Sequence, residues 1–267
     1  MESLRPYLQF ARLAFQRRAT YRLANWSGAA VNFFFLLVHA QVLLGFFRAR
    51  ANAGGWSASD AVLYFAASES LLMVIGIFPD FRYNLAERVR TGEIVSDLVR
   101  PVTLLWRELA ERYGTGAYYL VTRAPAVFGA GWLVYGLVPP PRWELALFPL
   151  SLALAMAVST GLWFLACSSA FWRESANGEM SAIVFVNSFL GGVFVPIDFY
   201  PPLMRWVTDV LPFRATLYTP VAILAGKLSG AELAFGLLHQ VVWVAGLLML
   251  ASLLETRGLR RLAIQGG

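Results

Sequence analysis

The sequence predicts an all-α integral membrane protein with six transmembrane helices. Of the 267 residues, 58% are hydrophobic and only 14% are charged, whereas a soluble domain carries about 25% charged residues. The charges occur in clusters, and the stretches between the clusters are nearly free of them. Apolar stretches of about 20 residues joined by charged segments are typical of membrane-spanning helices. Too little chain remains for a soluble domain.

Six apolar stretches are long enough to cross a hydrocarbon core of roughly 30 Å at about 1.5 Å per residue. The predicted spans are residues 26–47, 60–79, 113–137, 145–171, 179–199 and 231–254. Trp26, Trp132 and Trp172 fall near span ends, where amphipathic rings prefer the membrane–water interface. The tryptophans therefore agree with the boundaries that the apolar stretches predict.

Residues 1–25 predict an amphipathic helix at the membrane interface. Leu4 and Leu8 lie one helical turn apart, and Arg5 and Arg12 fall on another face. A helix with one apolar and one basic face suits the boundary between acyl chains and anionic headgroups. A solvated helix that flanks the first span is the alternative.

The basic residues predict the orientation of the chain. With six spans, fifteen basic residues lie on the side of the two termini and six lie on the opposite side. Loops that stay in the cytoplasm carry an excess of lysine and arginine. We therefore expect both termini in the cytoplasm.

The segment between the fifth and sixth spans predicts a re-entrant helical hairpin over residues 200–228. It is too apolar for an ordinary outer loop, and its prolines break a helix and restart short ones. Irregular backbone at membrane depth is stable only where protein or water covers it. The residues assigned to this hairpin are Pro196, Asp198, Pro201 and Pro212. Asp198 is expected to orient the chain reversal.

The chain shows no pattern of a catalytic or metal site. Its two histidines, His39 and His239, each lie within an apolar span and have no carboxylate at metal-ligand spacing. The segment 226–229 superficially resembles the end of a phosphate-binding loop, but that loop needs glycine where Val221 stands and serine or threonine where Leu228 stands. We therefore predict that the chain is not itself an enzyme and binds no metal or cofactor.

Three motifs carry a resemblance to a known family. Residues 90–101 read R-T-G-E-I-V-S-D-L-V-R-P, which resembles the R-x-G-E-(L/I)-x-x-x-L-x-(R/K)-P pattern in permease subunits of type-2 ABC exporters. The match is to the six-span branch that is encoded separately from its ATPase. The proline-rich segment 194–226 and the C-terminal segment 258–267 are similar to the corresponding regions of that family, and the motifs follow in the same order. For the first motif alone, a solvated cytoplasmic loop is the alternative.

The resemblance implies a transport complex with ATPase partners. Two permease chains, identical or homologous, face each other above two ABC ATPase subunits, which bind the ATP and Mg²⁺. A cytoplasmic coupling helix over residues 82–100 transmits the movement of the ATPases. The residues expected to contact the ATPase are Arg82, Tyr83, Leu85, Glu87, Arg88, Val89, Arg90 and Glu93, with Gly92 interrupting the segment. The complex would lie in a bacterial cytoplasmic (inner) membrane.

The resemblance also implies a substrate path at the dimer interface, lined by the first, second and fifth spans. Polar residues in these spans are the candidates: Asn32, His39, Glu69 and Asn187. Glu69 is the strongest candidate for the substrate path, because a carboxylate within a span is costly and usually functional. The alternative is that Glu69 pairs with Arg123, with a histidine or with backbone, and only holds spans together.

Two other classes of membrane protein remain as alternatives. A secondary transporter would work without ATP, but such folds often contain an internal repeat and the two halves of this chain are not visibly similar. A membrane scaffold would need no coupling helix. The resemblance favours an ATP-driven exporter over both, and an ATPase gene beside this one would separate them.

Overall fold

The computed structural model describes residues 4–49, 55–78, 85–99, 102–173 and 175–261. Within these ranges all regular structure is helical. The α-helices are α1 (Arg5–Thr20), α2 (Arg22–Ala49), α3 (Ala58–Ile75), α4 (Leu85–Thr91), α5 (Val95–Leu98), α6 (Leu104–Tyr135), α7 (Phe148–Ser168), α8 (Asn177–Leu190), α9 (Pro202–Val210), α10 (Tyr218–Leu224) and α11 (Gly230–Leu259). Short 3₁₀ helices span Trp143–Leu147, Ser169–Phe171, Ile197–Phe199 and Pro212–Ala215.

In the described ranges, four helical segments are long and apolar enough to cross a membrane. They are Arg22–Ala49, Ala58–Ile75, Trp143–Phe171 and Gly230–Leu259. Helix α6 has 32 residues but is less apolar, and α8 has 14 residues, which cover only about 21 Å at 1.5 Å per residue. The chain is thus an all-α, multi-pass membrane protein.

Helix α3 is the centre of the bundle. It is buried over most of its length and packs against α2, α6, α7 and α10. Ser57 and Asp60 form a capping box at its start, with the Ser57 backbone N–H donating to Asp60 Oδ2 at 2.9 Å. At its end, Gly76 adopts a φ of +76°, the left-handed conformation that glycine supplies at helix ends.

Helix α1 docks directly on α6 rather than lying only on a lipid surface. A Cβ at Gly114 would lie 1.9 Å from the Ala11 carbonyl oxygen, so the two backbones touch there. The Phe15 and Tyr118 rings pack edge to face at 5.5 Å between centroids. Leu8 on the same helix remains exposed. One side of α1 therefore packs on α6, and its exposed apolar side suits the membrane interface.

The proline-rich segment forms a helical hairpin of α9 and α10 at one end of the bundle. Lys227, after α10, donates a hydrogen bond to Asp60 Oδ2 at 2.6 Å. The Phe199 ring lies 5.7 Å from Trp56 and 6.5 Å from Phe47, between ring centroids. We call this end of the bundle the hairpin end and the opposite end, where α1, α4 and α5 lie, the α1 end.

The predicted coupling helix is divided in the structure. Helices α4 and α5 are separated by a turn at Gly92, whose φ is +78°. The interruption at Gly92 that the sequence indicates is thus a break between two short helices, because a residue in the left-handed region ends a right-handed helix. Residues 82–84 and 100 lie outside the described ranges.

Two other helices differ from the predicted spans at their ends. Helix α6 begins at Leu104 rather than near 113, because the Glu255 carboxylate of α11 accepts the Leu104 backbone N–H at 2.7 Å and caps its first turn. Helix α8 ends at Leu190, before 199, where a turn with Gly192 at a φ of +83° follows.

Candidate functional site

A chain of alternating charges joins four helices at the α1 end. Asp97 of α5 pairs with Arg88 of α4 and with Arg107 of α6. Arg107 Nε also donates to Glu111 Oε1 at 2.9 Å, and Glu111 Oε2 accepts Arg17 Nη2 of α1 at 3.0 Å. The side chain of Asp97 is 3% exposed and that of Arg107 is 5% exposed. We call these five residues the charge chain.

An apolar cluster near the charge chain also connects the α4–α5 element to α6 and α7. Leu85 and Ile94, on either side of the Gly92 turn, are buried with Leu104 of α6 and Phe164 of α7. The α4–α5 element is therefore fastened to α6 and α7 by apolar packing as well as by charge.

This packing separates the predicted ATPase contacts into two groups. Leu85 is 4% exposed, Val89 packs against the same apolar cluster, and Arg88 is directed to Asp97. These three side chains contact residues of their own chain, so their positions do not support a direct contact with an ATPase. Arg82 and Tyr83 lie outside the described residues.

The second group lies on the surface around the Gly92 turn. Arg90 Nε donates to Glu87 Oε2 at 3.0 Å, and this pair is solvent-accessible. The hydrogen bond from Arg90 lowers the pKa of the Glu87 carboxyl. Glu93 is exposed beside Gly92. Arg90 and Glu93 are therefore exposed on the surface of this element, whereas Glu87 is partly buried.

Glu108, in the second turn of α6, has an unusual ionisation. Burial raises its pKa from 4.5 to about 7, and the neighbouring Glu111 carboxylate adds to the rise. Arg107, Arg112 and Arg88 oppose it. The charge of Glu108 thus changes near neutral pH, next to the charge chain.

Three of the four predicted substrate-path residues are brought together between α2 and α3. Asn32 Nδ2 donates to Glu69 Oε2 at 2.8 Å and to the Glu69 carbonyl at 3.0 Å. His39 Nδ1 lies 3.4 Å from Glu69 Oε1. Arg123 of α6 donates to Asn32 Oδ1 and to the Gly28 carbonyl, so it reaches Glu69 through Asn32 rather than as a direct ion pair.

His39 brings this group to the surface of the bundle. Its side chain is 22% exposed, whereas that of Glu69 is 4% exposed. The imidazole packs on the Phe65 ring at 4.7 Å between centroids. The buried carboxylate therefore lies next to an imidazole that reaches the surface of the bundle.

Asn187, the fourth predicted residue, has different partners. It is buried in α8, and its Oδ1 accepts a hydrogen bond from Thr216 of the hairpin at 2.8 Å. Among the described residues no hydrogen bond joins it to Asn32, His39 or Glu69. Within one chain, Asn187 therefore supports the hairpin.

The predicted hairpin residues begin and end its helices. Pro196 precedes a short 3₁₀ helix, Pro201 precedes α9, and Pro212 begins the next 3₁₀ helix. Asp198 Oδ2 accepts a hydrogen bond from the Tyr218 hydroxyl at 2.7 Å. Asp198 thus connects the start of the hairpin to α10.

Sequence reasoning did not identify Asp97, Arg107, Glu111 or Arg17 as a connected group. The spacing of Arg107 and Glu111, four residues apart on one helix, is a visible signal for a pair. The pairs that Asp97 makes join separate helices, which sequence spacing does not show.

Comparison with known proteins agrees with this architecture. Neither the curated proteins nor the solved structures contain a significant match to this chain. A family model described as "ABC-2 family transporter protein" matches residues 27–266, from the first transmembrane helix to the C-terminal segment. Because this match covers nearly the whole chain, the protein belongs to the ABC-2 family of transporters, as a membrane permease.

Proposed function

We propose that this chain is the permease subunit of an ATP-driven exporter, in which two permease chains form the substrate path on two ATPase subunits. Membership of the ABC-2 family implies ABC ATPase partners, which would bind the ATP and Mg²⁺. In this proposal α2, α3, α6, α7, α8 and α11 are six spans. Both termini lie in the cytoplasm, and the membrane is the bacterial inner membrane.

The charge chain is the observation that carries this proposal. The α4–α5 element is joined to α6 by Arg107 and, through Glu111, to α1. A movement imposed on α4–α5 would therefore reach two further helices, because buried charge pairs are costly to separate. A loosely attached loop would absorb the same movement.

The exposed face of the α4–α5 element supplies the ATPase contact in this proposal. Arg90 and Glu93 flank the Gly92 turn and are exposed. Their charges are opposite, so a complementary surface on an ATPase could orient the element as well as bind it.

The exposed apolar faces of α2 and α8 support pairing with a second permease chain. On α2 the exposed side chains are Val31, Phe34, Phe35, Val38, Val42 and Phe46, and on α8 they are Phe185 and Phe189. His39 lies on the same face as Phe35 and Val42 because these positions are three or four residues apart. Pairing through this face would place the His39–Glu69 group beside its counterpart, at a central path.

Co-purification with an ATPase tests the proposal. The tagged chain, expressed with its chromosomal neighbours and extracted in mild detergent, should appear in native mass spectrometry with two permease chains and two ATPase chains. Combining Arg90→Glu with Glu93→Arg should remove the ATPases. The matched control is Arg142→Glu, which reverses an exposed charge at the hairpin end and should leave the complex intact.

Two outcomes would contradict the proposal. If the wild-type chain never retains an ATPase, a secondary transporter or a membrane scaffold becomes the better interpretation. If the double variant and the control behave alike, the ATPase contact does not lie on the α4–α5 element.

A further inference from the structure

We propose that the hairpin end contains a binding site for the ammonium group of an amphiphile. A cavity of about 300 Å³ lies between the hairpin and the first turns of α11. This volume is at the lower end of the roughly 300–1,000 Å³ typical of ligand pockets, so it suits a headgroup or a small amphiphile. The site lies at the opposite end from the ATPase contact and does not depend on the function proposed above.

The most buried charge at the cavity, Arg214, already has its partners within the chain. It is 8% exposed, and its Nη1 pairs with Asp209. Its guanidinium carbon lies 5.3 Å from the centroid of the Tyr218 ring and 5.2 Å from that of Phe235, distances at which aromatic faces stabilise a cation. The positive charge of Arg214 is therefore largely compensated before any ligand binds.

The second arginine at the cavity is also engaged. Arg205 Nη2 donates to the backbone carbonyl of Asp198, which leaves the Asp198 carboxylate for other contacts. Among the described residues, the hydrogen bond to that carboxylate comes from the neutral Tyr218 hydroxyl. Neither arginine therefore neutralises Asp198 by a direct ion pair.

Two carboxylates at the cavity form no direct ion pair in the described part of the chain, although both act at longer range on the charge of Arg214. Asp198 and Glu232 both line the cavity, and in the described part of the chain neither forms a salt bridge. With Asp209, three carboxylates face two guanidinium groups in this cavity. The lining is therefore negative by one charge. Asp198, partly buried beside apolar walls, gains most from a bound cation because its solvation is incomplete.

The walls indicate that the cation belongs to an amphiphile. Ile197, Leu228 and Phe235 line the same cavity, and a hydrated inorganic ion would not use this apolar surface. A metal ion also lacks its ligands here, since the described residues contain no group of three or more histidine, cysteine or acidic side chains that could hold one. An ammonium group on an apolar chain uses both the carboxylates and the walls.

An aminolipid and a free cationic amphiphile both have an ammonium group on an apolar chain. Native mass spectrometry distinguishes between these two sources. The detergent-purified chain is incubated with equal amounts of phosphatidylethanolamine and phosphatidylglycerol of identical acyl chains. In a second arm it is incubated with dodecylamine, with dodecanol as the uncharged match. The variant is Glu232→Gln, whose side chain is exposed, so the fold should be retained. The control is Glu179→Gln, which removes a carboxylate paired with Arg173 at the α1 end.

We expect the wild-type chain to retain phosphatidylethanolamine in preference to phosphatidylglycerol, or dodecylamine in preference to dodecanol. Glu232→Gln should reduce this preference about tenfold, as loss of a charge-assisted contact does, and Glu179→Gln should not change it. Glu232-dependent retention of phosphatidylethanolamine identifies a lipid headgroup as the source, and retention of dodecylamine alone identifies a free amphiphile. No preference in either arm, or a preference that Glu232→Gln leaves unchanged, would overturn the proposal.

Discussion

Each end of the bundle contains a notable aspartate, and the two aspartates differ in their partners. At the α1 end, Asp97 is 3% exposed and lies between two arginines from different helices. At the hairpin end, Asp198 lines a cavity and its carboxylate accepts a tyrosine hydroxyl. Asp97 joins three helices through its ion pairs, whereas Asp198 forms no salt bridge in the described part of the chain. The contrast suits an end that transmits movement and an end that meets a ligand.

The largest expected effect is from Asp97→Asn. The substitution leaves Arg88 and Arg107 without their shared counter-charge, and breaking a buried pair costs about 3 kcal/mol. At about 2–4 °C per kcal/mol, Tm in detergent should fall by roughly 6–12 °C. A fall of less than a third of this would show that Asp97 is not the junction of the charge chain, and the contrast between the ends would fail.

A smaller effect is expected from the matched substitution Asp198→Asn. An asparagine carbonyl can still accept the Tyr218 hydroxyl, and no salt bridge is lost, so the cost should be about 1 kcal/mol or less. The same thermal unfolding measurement should show Tm lowered by no more than about 4 °C. Equal losses at positions 97 and 198 would mean that the two ends hold their charges in the same way.

The smallest effect concerns the pH dependence of the α1 end. The pKa of Glu108 is about 7 in the folded chain against 4.5 as the ordinary value. Its contribution to stability is therefore complete below pH 4.5 and is lost as the pH rises through 7. Glu108→Gln should flatten Tm between pH 5 and 8, by the equivalent of less than about 1 kcal/mol because the side chain is only half-buried.

Glu87→Gln is the control for the pH measurement. Its carboxyl also lies at the α1 end, on α4, but has a lowered pKa, so its substitution should leave the profile between pH 5 and 8 unchanged. A flattening with both variants would assign the pH dependence to the surface rather than to Glu108.

The sequence predicted the fold class and the family because both depend on local signals. Apolar stretches identify spans, and the motif around Gly92 identifies the permease family, which the match over residues 27–266 confirms. The short α8 could have been anticipated from Gly191 and Gly192, which interrupt an apolar run.

The site residues were only partly predictable. Glu69 stands out because a carboxylate in an apolar stretch is rare, but its contacts with Asn32 and His39 depend on how α2 packs on α3. Asp97 has no such signal, because it occurs among other charges in a polar segment. Its importance comes from burial between separate helices, which is a property of the tertiary structure alone.

The contact between Ala11 and Gly114 has a consequence for how the chain is made. Helix α1 leaves the ribosome before its docking surface on α6 exists, and at about 5–20 residues per second the intervening chain of roughly 100 residues takes about 5–20 s to synthesise. During this interval Phe15 and the Ala11 backbone, which later pack on α6, have no protein partner, while the exposed leucines of α1 suit the lipid surface. We therefore expect α1 to lie on the membrane surface during biogenesis until α6 is inserted and the two backbones meet.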